Sequence, residues 1–238
     1  MEPLPAALHT QNQPAFSGGK RHSGIEITVA YGLILAVEWT PRPLQGVLWV
    51  VAAASAVLFT CISFEGWTAM GFHITNFGRS LWIAGVALLL AAGTIALSVM
   101  LGTFRVLDGP RALVAAYCAY AIWAGVQQFL LQDFFLLRFL RLIDSPKAAA
   151  LAAAGLFAAA HVPNPVLTPI TAIWGFVSCK LFLRYRNIYP LMMGHAILGI
   201  TVAMTIPGAV DHNMRVGLGY LTYNPHKNAY KMYRLSEP

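Results

Sequence analysis

Long apolar runs separated by short polar or proline-bearing breaks dominate this chain. Their length and continuity predict helices at about 25–39, 45–64, 79–101, 111–127, 128–142, 146–161, 166–185 and 190–206. A bilayer is crossed by roughly 20 apolar residues. Lipid leaves the backbone no partner but itself, which allows helices or a closed barrel. The runs are continuous and rich in Leu and Ala rather than alternating, so the pattern predicts an all-α polytopic membrane protein with six to eight transmembrane helices. The breaks follow the same logic. Pro41 and Pro43 end the first helix, Gly109-Pro110 forms a turn, Ser145-Pro146 starts a helix with proline in its first turn, Pro163 and Pro165 bound a bend, and Pro207-Gly208 ends the last span. Residues 128–142 are read as broken from, or continuous with, the helix before them. Within them Arg138 and Arg141 lie three apart, with Leu and Phe opposite, which predicts an amphipathic helix at the membrane surface. The Ala-rich stretch 147–161 predicts close helix contacts. The domain reading is a polar segment 1–24, a transmembrane helical domain 25–208 and a polar tail 209–238.

Composition sharpens this picture. Only 11% of residues are charged and 58% are hydrophobic, whereas a soluble domain carries about 25% charge; mean hydropathy is +0.62. The formal charge of +7 does not indicate nucleic acid, because Arg42, Arg79, Arg105, Arg111, Lys147 and Arg184 are scattered at segment ends, as interfacial anchors are. Residues 1–19 lack a positive start and a contiguous apolar run, so no secretory signal is expected there. Cys61, Cys118 and Cys179 sit in apolar runs without motif spacing and are expected to be buried free thiols.

Polar side chains inside oily segments are the first place to look for function, because hydrocarbon penalises unpaired polar groups. Gln128 and Gln132 are one helical turn apart, with Gln127 offset and Asp133 following. Amides both donate and accept, so this window suits a polar cavity or interhelical bonding. His161 closes LFAAAH, Asn164 follows in the bend, and His195 lies in LMMGHAILG. Asp211 and His212 follow Pro207-Gly208, where they line a cavity mouth or an ordinary polar loop. Glu38 ends the first helix, and Glu65 and His73 flank the loop after the second; of these acids Glu65 is the one singled out for chemistry. No cofactor is expected. A divalent metal on His161, His195 and His212 is the alternative, since three histidines and a water suit zinc, and iron would suit histidines with Glu65 or Asp133. No HExxH, Walker A, GxGxxG, GxSxG or CxxC pair occurs.

The C-terminal half, about 120–206, resembles the CAAX-protease and bacteriocin-processing (CPBP, or Abi) superfamily of intramembrane proteases. That family carries EExxxR on one helix, FxxxH on the next and HxxxN or HxxxD on a later one. Here QQFLLQ, Phe157 to His161 and His195 onwards occupy those places in order. The resemblance implies that His161 activates water and His195 stabilises an oxyanion. Gln127 and Gln128 stand where the family has glutamates, Gln132 where it has arginine, and Gly199 where it has Asn or Asp. A neutral amide does not take a proton as a carboxylate does, so the acidic role would pass to Glu65, Asp133 or Asp211.

Three functions compete at this point: a membrane-embedded hydrolase of prenylated, hydrophobic or transmembrane peptides; a diverged enzyme acting on an isoprenoid or other lipid; and a non-catalytic binding or scaffold protein. The candidate catalytic set is His161, His195, Gln127, Gln128, Glu65 and Asp133. The substrate-binding set is Gln132, Asn164, Phe157, Asp211 and His212. The expected location is a bacterial cytoplasmic membrane, with membrane lipids as partners. Oligomeric state is not encoded in any feature of the sequence.

Overall fold

A computed structural model describes residues 19–105 and 110–225. Regular structure there is wholly helical: α1 (Gly19–Trp39), α2 (Leu44–Ile62), α3 (Phe77–Ser80), α4 (Trp82–Met100), α5 (Pro110–Phe129), a π-helical segment Leu130–Leu136, α6 (Leu137–Leu142), α7 (Pro146–Ala159), α8 (Leu167–Tyr185), α9 (Tyr189–Thr205), and short α10 (Gly208–Asp211) and α11 (Gly217–Leu221). Helix α1 starts ahead of its apolar run, and the stretch expected at 128–142 continues α5 through the π-helical turn. Ser145 caps α7 by accepting a hydrogen bond from the Ala148 N–H at 3.3 Å, with Pro146 opening the helix.

Among the described residues three helical stretches are long and apolar enough to cross a membrane: Leu44–Ile62, Phe77–Met100 and Val114–Leu142. Pro146–Ala159 and Tyr189–Thr205 are shorter apolar helices, while α1 and α8 reach 21 and 19 residues but carry charged groups. Among the described residues three stretches thus meet both length and apolarity, and they do not fix the count of six to eight read from hydropathy. Helix α2 buries none of its residues; it packs on α1 and touches α5 through Trp49 and the π-helical segment through Phe59.

The core lies where the π-helical segment meets α1, α7 and α8. Small residues set the closest approach: Ala149, Ala150, Ala153 and Ala154 of α7 are buried, and a Cβ on Gly175 of α8 would lie 3.3 Å from Ala154 Cα and 3.2 Å from Phe157 Cδ1. That is the small-residue packing expected of the Ala-rich stretch.

Two expectations are corrected. Arg138 does not lie on a surface face: it is 2% exposed and its Nε donates to Glu26 Oε2 of α1 at 2.5 Å. Its other nitrogens donate to the carbonyls of Phe134 and Phe59, and Ser63 Oγ donates to Glu26 Oε1. Helix α1 covers α6 and supplies the counter-charge that makes burial of the guanidinium tolerable. Arg141, three residues on, stays partly exposed and pairs with Glu65. Of the thiols, Cys179 is buried, whereas Cys61 and Cys118 are exposed on helix surfaces.

Candidate active site

The two histidines reach the site by different routes. His161 follows the end of α7, where a turn carries the chain into Pro163, and its Nδ1 lies 2.6 Å from the Phe157 carbonyl oxygen one turn back. A carbonyl only accepts, so Nδ1 carries the proton and a neutral His161 keeps Nε2 bare. His195 sits on α9, and its Nδ1 lies 3.0 Å from the side-chain nitrogen of Gln128.

The orientation of Gln128 is set from behind. Ser178 Oγ donates to the Gly175 carbonyl at 3.1 Å and so accepts from Gln132 Nε2 at 3.0 Å. The same Gln132 nitrogen donates to Gln128 Oε1 at 3.3 Å, which turns the amide nitrogen of Gln128 toward His195. Nδ1 of His195 is therefore an acceptor, and a neutral ring carries its proton on Nε2. The two imidazoles hold opposite tautomers: His161 offers a lone pair, His195 an N–H. The ring of Phe157 meets both, with centroids 4.9 Å from His161 and 5.8 Å from His195.

Both histidines line a cavity of about 460 Å³ with Gln127, Phe157, Tyr120 and Glu38. The remaining wall is mostly apolar side chains from α1, α5, the π-helical segment, α7, α8 and α9. Gln128 and Gln132 lie fully buried behind it.

The other candidates are placed elsewhere. Glu65 is exposed on the loop after α2 and accepts from Arg141 Nε at 3.1 Å. Asp133 is 3% exposed within the π-helical segment, and among the described residues neither of its oxygens has a hydrogen-bond partner; it is not among the cavity-lining residues. Asn164 does not line the cavity either. Its amide donates to the carbonyls of Asp211 and Arg215, and its oxygen accepts from the Val166 and Leu167 N–H groups, so it ties the α7–α8 bend to the loop after α9. Asp211 is buried in that loop with Oδ1 accepting from the Asn213 N–H at 2.9 Å. His212 stacks on Tyr220 and Tyr223, at 4.0 and 4.7 Å, and bonds the Tyr220 carbonyl through Nδ1. Among the described residues no three His, Cys, Asp or Glu side chains gather as a metal site, and His212 is held by its own loop.

The loop beyond α9, expected to be a polar tail, closes one end of the cavity through Asn213, Met214 and Val216. Gly217 makes this possible. Its φ of 52° favours glycine, a Cβ there would collide with the Glu38 carbonyl oxygen, and its N–H donates to the Val162 carbonyl at 2.9 Å. Helix α11 thereby seats against α1.

Two residues of the wall escape a motif search. Glu38 is the carboxylate among the lining residues, carried by α1, far upstream of any motif. Tyr120 precedes Gln127 by two helical turns on α5, a spacing that puts both on one face; that periodicity was the available signal. A Cβ on Gly199 would collide with the Tyr120 hydroxyl, so this hydroxyl occupies the space a side chain at position 199 would fill.

Residues 110–201 match the family model described as type II CAAX prenyl endopeptidase Rce1-like. No curated protein and no solved structure matches the chain.

Proposed function

We propose that this chain, whose residues 110–201 match the type II CAAX prenyl endopeptidase family model, hydrolyses an amide bond of a membrane-associated, prenylated or otherwise hydrophobic peptide. The opposite tautomers of His161 and His195 on one cavity wall carry this reading. Nε2 of His161 takes a proton from water as the water oxygen bonds to the scissile carbonyl carbon. The carbonyl oxygen, now an oxyanion, is held by the Nε2–H of His195. Collapse breaks the carbon–nitrogen bond, and the imidazolium of His161 returns its proton to the leaving amine. Each transfer requires heavy-atom distances of about 3 Å in the complex.

Glu38 supplies the carboxylate that Gln127 and Gln128 lack, stabilising the imidazolium across the cavity. The mostly apolar wall favours a lipid-modified or apolar residue beside the cleaved bond. Gln128, Gln132 and Ser178 do not touch substrate; they hold His195 in the donating tautomer.

The test is cleavage of a farnesylated C-terminal peptide by the detergent-purified protein, followed by mass spectrometry. Peptide products from the wild type, lost in H161A and in H195A, support the proposal. Cleavage retained by both variants removes the histidines from the chemistry. A modified lipid product without peptide fragments favours a diverged isoprenoid or lipid enzyme instead.

A further inference from the structure

We infer that Tyr120 is a catalytic residue, its phenolic O–H being the second donor to the oxyanion; this rests on the hydrolase reading above. Gly199 lies four residues after His195 on α9, one turn along the same face, and both line the cavity. Position 199 offers no side chain there. The hydroxyl of Tyr120, brought in from α5, fills that space so closely that a single methyl on Gly199 would displace it. Among the described residues this hydroxyl has no hydrogen-bond partner, and it does not belong to the polar atoms sealed away from the cavity. A phenol without a partner among the described residues, in the same cavity as the His195 ring, is a donor awaiting an acceptor.

The chemistry of the step asks for that group. As the water oxygen bonds to the carbonyl carbon, the carbonyl π pair moves onto oxygen, and a tetrahedral oxyanion is best held by two donors from fixed positions. Nε2–H of His195 is one, from α9; the Tyr120 O–H is the other, from α5. Neither donor gives up its proton, and on collapse the pair returns to the carbonyl as the amine leaves with the proton from His161. Glycine at 199 and tyrosine at 120 thus form one unit, because the first makes room for the second.

The experiment compares wild type, Y120F and G199A in detergent, with a farnesylated peptide as substrate and a phosphinate analogue of it as a probe of tetrahedral binding. Thermal unfolding is recorded for each protein. Y120F keeps the ring and loses only the donor; G199A keeps the phenol and evicts it. The expected result is a kcat lowered by about 10²- to 10³-fold in Y120F, KM changed by less than about threefold, and phosphinate affinity reduced in both variants. A Y120F protein with wild-type kcat and phosphinate affinity overturns the assignment and leaves the hydrolase reading standing. If the wild type cleaves nothing but binds phosphinate more tightly than Y120F does, the donor role stands and hydrolysis falls. If the wild type cleaves nothing and phosphinate binding does not distinguish the two, both fall.

Discussion

The side-chain nitrogen of Gln128 lies 3.0 Å from Nδ1 of His195, and that bond decides which end of the imidazole carries the proton. Replacing the amide tests it directly. Q128L leaves Nδ1 without a donor and frees the tautomer to change. Q128E places an acceptor there and draws the proton to Nδ1. Both are expected to lower kcat by on the order of 10²-fold or more, the scale of a removed oxyanion donor. Nitrogen NMR of labelled histidine should report an Nε2–H tautomer in wild type and an Nδ1–H or doubly protonated ring in Q128E. An unchanged His195 signal in Q128E would refute the assigned role of the glutamine.

The sequence left the acidic role open to Glu65, Asp133 and Asp211; none of these lines the cavity, and Glu38 does. E38Q should reduce kcat by about 10²- to 10⁴-fold, the range of a general acid–base contribution, whereas E65Q and D133N should retain most activity. Q127E, placing a carboxylate back on the same wall, should recover part of the loss in an E38Q background. Equal activity of E38Q and wild type would return the acidic role to one of the others.

Glu26 and Arg138 are both about 3% exposed on their side chains. Truncating one partner leaves the other charge buried and unpaired, so E26A should destabilise by about 3–5 kcal/mol. The E26L/R138M double variant should lose much less. The side chains of Arg141 and Glu65 are 29% and 38% exposed, and R141A should cost at most about 1 kcal/mol. Thermal or denaturant unfolding in one detergent, run on all three, checks the ranking.

The contact of Gly175 with Ala154 and Phe157 leaves no space for a branched side chain. G175V should destabilise by about 1–3 kcal/mol through overpacking and, by shifting Phe157, also impair catalysis. G155V, on a glycine whose Cβ would meet nothing within 4 Å, should leave activity near wild type.

Asp211 provides a pH test outside the spans. Burial raises its carboxyl above the ordinary range, opposed by the Asn213 N–H bond and the charge of Arg105. The folded chain therefore binds this proton more tightly than the unfolded chain. Its stabilising contribution is complete below the unfolded value of about 3.9 and is lost as pH rises through the folded value. D211N keeps the acceptor used by Asn213 and mimics the neutral acid. Its stability relative to wild type should increase as pH rises above about 4, until the folded carboxyl has lost its proton. A difference that is flat with pH would refute the shift.

Hydropathy alone determined the helical membrane architecture, because a backbone in lipid has so few ways to satisfy its own polar groups. The breaks at Pro43, Pro146 and Pro207 were legible for an equally local reason, since proline restricts its own and its neighbour's conformation. So were His161, His195 and the Gln128–Gln132 pair, polar groups at helical spacing where hydrocarbon makes them costly. Tertiary structure decided what these groups face. Arg138 and Arg141 look alike in sequence, yet α1 folds over one and supplies Glu26, while the other meets Glu65 in the open. Asn164, a natural cavity residue by position, has its amide taken up by carbonyls some 47 and 51 residues away. Glu38 and Tyr120 join the histidines only because α1 and α5 wall the same cavity as α9, and Gly199 gains meaning only from the hydroxyl beside it. Spacing along a chain encodes which side chains share a helix face; which helix faces meet, and which charge then finds its partner, is settled by packing between segments far apart in sequence.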